Sequence, residues 1–377
     1  MSVGIICEYN PFHNGHLYHI ESIKKKFSNE EIVLVLSGNY TQRGDISIIE
    51  KYDKAKIALE YGVDLVVELP FSFATQGADI FAKGSIQILN YLKCDKLVFG
   101  SEINDVKILS KLAQVQINDK DYDEEVKKEL DKGINYPTAM ANALSAITSS
   151  SVGTPNDILA LCYIKEIMKQ KADITPISIK RTNDYHDENL NNVISSATSI
   201  RKAILEKKRI NDFVPNFTLD FINKEDLSIK YFNLLKYKIL SEGGSLIRYQ
   251  DVDEGIENRI LKYISNCNNL EELIGKVKSK RYTYSRLKRM FLHILCSFTK
   301  EERLANENVS YIKILGFNSK GKIYINKIKK DINIPIIANI NKNNINLLKQ
   351  ELLCDNIYNI ITNRNDNLFS KKPIIKP

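Results

Sequence analysis

Gly4-Ile5-Ile6-Cys7-Glu8-Tyr9-Asn10-Pro11-Phe12-His13-Asn14-Gly15-His16-Leu17-Tyr18-His19 runs from an apolar, β-rich stretch through a proline-bearing loop into a helical pattern. The strand is predicted to end near Glu8 and the helix to open near Asn14. His13 and His16 stand three residues apart across that opening, so their imidazoles can share one side. Free backbone N–H groups and the positive end of a helix dipole are expected to meet there, which favours an anion and above all a phosphate. Gly15 would remove a side chain where the backbone and that anion approach. Three of the chain's five histidines fall within these seven residues. A zinc pair of the HExxH kind would need a third ligand, and none is evident; a structural pair of capping histidines is the other alternative.

Outward from this stretch, residues 32–37, 64–68, 96–100 and 174–179 are further short β-rich runs. Residues 16–26, 50–61 and 79–92 carry helical spacing between them. Strands alternating with helices predict right-handed crossovers and a parallel sheet covered on both faces, with ligands beyond the carboxyl ends of the strands. After about residue 215 the pattern becomes helical, at 221–240, 256–264 and 282–298. Residues 311–316, 334–337 and 357–361 suggest a small terminal α/β segment. The division expected is therefore 1–220 and 221–377.

The 377 residues are 43% hydrophobic and 27% charged, which excludes a disordered or fibrous chain. No run approaches the roughly 20 apolar residues of a membrane span, and the N-terminus lacks the features of a signal peptide. A cytoplasmic protein with no membrane association and no obligate protein partner is expected. The six cysteines are scattered without a CxxC pair, so they read as incidental thiols. Charge is uneven: residues 1–200 hold 21 basic and 27 acidic side chains, whereas 201–377 hold 33 and 19. A polyanion partner for the second half follows from that asymmetry. Lys278, Lys280, Arg281, Arg286, Lys288 and Arg289 cluster within twelve residues containing no acid, with Tyr282 and Tyr284 interleaved. Such a mixture can neutralise phosphates and stack on unpaired bases, or it can be a solvated helix face.

The HxGH box resembles that of the nucleotidyltransferase superfamily, where it follows the first strand of a Rossmann-like domain. That superfamily pairs it with a later ISSTxxR-type segment, matched here by Ile194-Ser195-Ser196-Ala197-Thr198-Ser199-Ile200-Arg201. Hydroxyls there can bond phosphate oxygens, and arginine donates bidentate hydrogen bonds while staying charged. The whole EYNPFHNGH run, Ser37–Asp45, Glu68-Leu69-Pro70, Phe99-Gly100-Ser101-Glu102, Pro155-Asn156-Asp157, Lys180-Arg181, Tyr185-His186-Asp187 and Lys280-Arg281-Tyr282-Thr283 resemble the tRNA(Met) cytidine acetate ligase family. Asp45 departs from that pattern, which usually has Glu followed by Pro, as does Ser199 within the Ser-Ala-Thr segment.

The resemblance implies an ATP-dependent ligase that forms N(4)-acetylcytidine at the wobble position of elongator tRNA(Met) from acetate, through acetyl-adenylate. ATP would be held by Ile6, Cys7, Glu8, Tyr9, Asn10, Pro11, Phe12, His13, Asn14, Gly15, His16, Leu17, Tyr18 and His19, and by Gly100, Asn156 and Arg181. His13, His16, Thr198 and Arg201 would stabilise charge during the reaction. Mg²⁺ is expected with ATP, with no protein ligand assigned. The basic cluster at 278–289 would bind tRNA. Two rivals remain: a small-molecule adenylyltransferase of the nicotinate mononucleotide or phosphopantetheine type, and a non-catalytic nucleotide-sensing RNA-binding protein.

Overall fold

The computed structural model describes residues 1–148, 152–181 and 195–377. Five strands, β1 (Ser2–Cys7), β2 (Glu31–Ser37), β3 (Leu65–Leu69), β4 (Lys96–Ser101) and β5 (Thr175–Lys180), pair in parallel. The near-continuous apolar runs of β2 and β3 suit a sheet buried on both faces, while β5 is a partly exposed edge strand. In β2 the two faces separate residue by residue: Val33 and Val35 enter one core, while Ile32, Leu34 and Leu36 enter the other.

These five strands lie in the order β5-β4-β1-β2-β3. The chain steps outward from β1 to β2 and β3, then returns to the other side of β1 as β4 and β5. The carboxyl ends of β1 and β4 therefore flank a switch point, where such sheets open a binding crevice. This is the Rossmann-like parallel sheet expected from the sequence.

The terminal segment behaves differently from expectation. β6 (Ile312–Phe317) lies antiparallel to β3, pairing Leu65 with Phe317, and β7 (Ile336–Ile337) and β8 (Ile374–Ile375) pair with β6. These strands extend the first sheet and cover the otherwise unpaired edge of β3. Residues 357–361, read as strand-like, lie inside the helix Lys349–Thr362. There Tyr358 and Ile361 are buried and Ile360 is exposed, a helical spacing that a five-residue apolar run cannot reveal alone.

Between Leu219 and β6, the helices Ser228–Glu242, Ile256–Ile264, Leu270–Val277 and Tyr284–Leu295 pack around their own core. That core includes Leu235, Ile260, Leu273, Leu287 and Phe291, and it reaches Tyr40 and Phe71 of the first half and Tyr358 near the end. His293 is completely buried here, with Nε2 3.0 Å from the Thr75 carbonyl and Nδ1 3.3 Å from Asp251.

A charged cluster is buried where these parts meet. Lys51 Nζ lies 2.7 Å from Glu68 and 2.6 Å from Asp355, and Lys313 Nζ lies 3.1 Å from the other Glu68 oxygen. Burial alone would raise the Glu68 pKa, but Lys313 and Lys51 outweigh it and hold the carboxyl at about 2. Nearby, Lys54 Nζ donates to the carbonyls of Glu8, Ser37 and Gly38, tying the carboxyl ends of β1 and β2 together.

Candidate active site

β1 delivers the loop 8–13 to the crevice, turning on Tyr9 (φ 49°) and a cis Asn10–Pro11 peptide. Asn10 Oδ1 accepts from the Ile48 amide at 2.9 Å, and Glu8 Oε1 accepts from the Gln42 amide at 2.5 Å. Tyr9 and Phe12 are buried, with ring centroids 4.7 and 5.6 Å from that of His16. Ile6 and Cys7 finish β1, and burial pushes the Cys7 thiol up to about 12, leaving it unreactive. Leu17 packs into the core, Tyr18 faces solvent and His19 is half-buried.

The helix Asn14–Lys26 starts in the capped arrangement that stood as the alternative to an open anion cradle. Its first amides are already used: Asn14 donates to the Phe213 carbonyl at 3.0 Å and Gly15 to His13 Nδ1 at 3.0 Å. The His13 amide donates in turn to His16 Nδ1 at 3.2 Å. The histidines thus cap the helix themselves, and an anion would not meet free backbone N–H groups at Asn14 and Gly15. Capping also fixes the tautomer: with Nδ1 accepting, each neutral ring carries its proton on Nε2. The two rings lie 3.8 Å apart, offering a pair of Nε2–H donors.

These rings are neutral at physiological pH. Burial, then the charges of Arg181 and Arg201, pulls His13 down to about 3. Burial, then His13, Arg181 and His19, lowers His16 well below its ordinary value. Burial and Arg181 bring His19 to about 4. Uncharged imidazoles beside two guanidinium groups, themselves facing Glu102 and Asp45, are a combination suited to an anion.

The second box reaches this loop. Ser196 caps the helix Ala197–Leu205, accepting from the Ser199 amide. One turn later Arg201 Nη1 donates to the Asn10 carbonyl at 2.7 Å, across 191 residues of sequence. Arg201 Nη2 lies 3.4 Å from Thr198 Oγ1 and 3.8 Å from Asp45 Oδ2. Ile194 and the Tyr185-His186-Asp187 triplet lie outside the described residues.

The other wall is built from β4 and β5. Arg181 Nε is 3.4 Å from Glu102 Oε1, which also accepts from Asn156 Nδ2 at 2.7 Å. A Cβ on Gly100 would sit 3.2 Å from Arg181 Cγ, so glycine there lets the arginine stem cross the strand end. The helix Pro155–Lys169 is capped by Thr154. Asp157 accepts from Ser101 Oγ and the amides of Glu102 and Ile103, bracing the loop after β4. Its place in the Pro-Asn-Asp triplet was visible in the sequence; the bonds it makes to the loop were not.

The basic cluster divides. Lys278 and Lys280 are exposed and have no ion-pair partner among the described residues. Arg281 lies 3.2 Å from Glu254, and Arg286 3.4 Å from Asp253. Lys288 pairs with Asp45. Burial lowers the Arg289 pKa, and its Nε has no hydrogen-bond partner among the described residues. Tyr282, expected beside Tyr284 as a stacking platform, is buried, bonded to the Asp253 carbonyl and covered by Arg286 4.2 Å from its ring centre. Tyr284 remains half-open.

A Rossmann-like sheet with an HxGH loop at its switch point defines a nucleotidyltransferase, and the chain matches the HIGH Nucleotidyl Transferase family over residues 1–372. It is 40% identical to the tRNA(Met) cytidine acetate ligase of Fusobacterium nucleatum, covering 95% of both chains, and 36% identical to that of Bacillus subtilis, covering 95% and 92%. It superimposes on Thermotoga maritima TmcAL with a TM-score of 0.91 at 30% identity, covering 100% and 99%, and on the same protein bound with α-thio ATP with a TM-score of 0.88. The chain belongs to the tRNA(Met) cytidine acetate ligase family.

Proposed function

We propose that the protein joins acetate to the exocyclic amine of the wobble cytidine in elongator tRNA(Met), at the expense of ATP. The observation that carries the reading is the 2.7 Å bond from Arg201 to the Asn10 carbonyl, which brings both nucleotide boxes to one crevice. The relatives' names, and the α-thio ATP bound to the Thermotoga maritima protein, point the same way.

An acetate oxygen attacks the α-phosphorus, the bond to the β-phosphate oxygen breaks, and pyrophosphate leaves acetyl-adenylate behind. The cytidine amine then attacks the acetyl carbon, loses a proton and expels AMP. Such steps ask the protein for positioning and for charge stabilisation rather than covalent chemistry. His13 and His16 donate from Nε2 to the phosphate oxygens, and Thr198 and Arg201 hold the departing pyrophosphate. Arg181, braced by Glu102, supplies the second positive charge, and Asn156 faces the nucleoside. Mg²⁺ entering with ATP is expected to sit on phosphate oxygens and water; among the described residues no group of three His, Cys, Asp or Glu side chains could hold a metal.

The helices after residue 220 are assigned to tRNA, with Lys278, Lys280 and Arg281 as outer contacts and Lys288 nearest the crevice. Among the described residues no helix is long and apolar enough to cross a membrane, and the reaction is assigned to the cytoplasm. The test combines the protein with ATP, labelled acetate and elongator tRNA(Met), followed by nucleoside analysis. Acetylcytidine requiring all three is the expected result. ATP binding without acetate-dependent pyrophosphate exchange would instead favour a nucleotide-sensing RNA-binding protein.

A further inference from the structure

The turn 41–45 is wedged between the ATP crevice and the basic helix. It is closed by its own backbone: Thr41 N donates to the Asp45 carbonyl at 2.9 Å, Gly44 N to the Thr41 carbonyl at 2.9 Å, and Asp45 N to Thr41 Oγ1 at 3.1 Å. Gly44 sits at φ 81°, and a Cβ there would lie 2.6 Å from the backbone of Lys288 and Arg289. The turn thus rests directly on the helix Tyr284–Leu295. Asp45, about one-fifth exposed, points one oxygen at Lys288 Nζ and the other at Arg201 Nη2, 3.8 Å away.

One carboxylate therefore serves two cations that face different substrates. We propose that Asp45 is a positioning residue acting as a shared counter-ion, through which the pyrophosphate tail of ATP and the tRNA backbone weaken each other's binding. The inference rests on the assignment of Arg201 to ATP and Lys288 to tRNA made above. An anion that takes Arg201 leaves Asp45 wholly to Lys288, whose charge is then less available to tRNA. A tRNA phosphate that takes Lys288 turns Asp45 fully upon Arg201, loosening its hold on the polyphosphate. By linkage the two effects are equal in size. Their consequence is an order of events: ATP is consumed first, and tRNA arriving at the helix promotes release of pyrophosphate.

The experiment measures the affinity of the full chain for an ATP analogue with an α,β-methylene bridge, alone and with saturating elongator tRNA(Met). In the wild type, tRNA should weaken the analogue about fivefold, the lower end of ordinary coupling. In Asp45→Asn the weakening should fall below about twofold, because the charge is gone while the backbone-closed turn remains. Asp45→Glu should restore it, since a carboxylate is again within reach of both cations. Coupling of wild-type size in Asp45→Asn, or none in the wild type, overturns the proposal. Lys288→Met and Arg201→Lys separate the two layers of argument. Weakened tRNA binding in the first and weakened analogue binding in the second, with coupling still absent, removes the shared counter-ion alone. If neither affinity moves, the substrate assignments fall with it.

Discussion

Acidification should cost the fold stability through His13. Its imidazole has a pKa of about 3 in the folded chain, against an ordinary 6.5, because burial and then Arg181 and Arg201 oppose its charge. Between those values the unfolded chain holds more protons than the folded one, so stability present above pH 6.5 is lost as the pH falls toward 3. Taking the two values at face, the loss between pH 8 and pH 5 is about 2 kcal/mol, close to a thirtyfold change in the unfolding constant. His13 is only 7% exposed, so solvent screens little of this. His13→Asn removes the titration while keeping a favoured N-cap acceptor for the Gly15 amide. Urea unfolding at pH 8 and pH 5 should show the wild type losing about 2 kcal/mol more than His13→Asn. Equal losses in the two proteins would refute the claim that this ring is held neutral. A bound ATP analogue places negative charge beside the ring and should shrink the difference.

Three further outcomes are expected. His16→Ala should cost about 1 kcal/mol of stability through the lost cap contact, yet slow acetate-dependent pyrophosphate exchange at least ~100-fold; a folded variant with normal exchange removes His16 from the chemistry. Lys51→Met should destabilise the fold by about 3–5 kcal/mol, because Glu68 and Asp355 are left buried with too little positive charge, whereas Lys128→Met on a solvent-facing helix should leave the melting temperature unchanged. Replacing Lys278 and Lys280 together by Ala should weaken tRNA binding and flatten its logarithmic salt dependence by about 1–2 units, as read by filter binding across a salt series; an unchanged slope would detach these lysines from the nucleic acid.

The sheet was legible because its signal is local. Buried parallel strands write themselves as apolar runs, and the loop from Glu8 to His16 carries its chemistry in consecutive residues. The meeting of Asn10 with Arg201 was legible only through the pairing of two known boxes, since nothing local in either states that they touch. The capping of the first helix by its own histidines stood only as an alternative, because HxGH reads equally well as an open anion cradle. The return of β6 to β3 escaped for a different reason: an edge pairing joins residues about 250 apart, and hydrophobic period says where a strand is, not which neighbour it takes. Charge patterning likewise located the basic helix without revealing that Asp45, Asp251, Asp253 and Glu254 oppose much of it.

The placement of β6 has a mechanical consequence. The helical region leaves the core that covers the sheet after Leu219 and returns to the sheet itself at Ile312, so it is a handle fixed at both ends rather than a flag on a pole. An RNA bound there, as proposed above, could not swing it freely on one tether. Pulling on the handle loads β3 and β6 together, and through β3 the strands whose carboxyl ends frame the crevice.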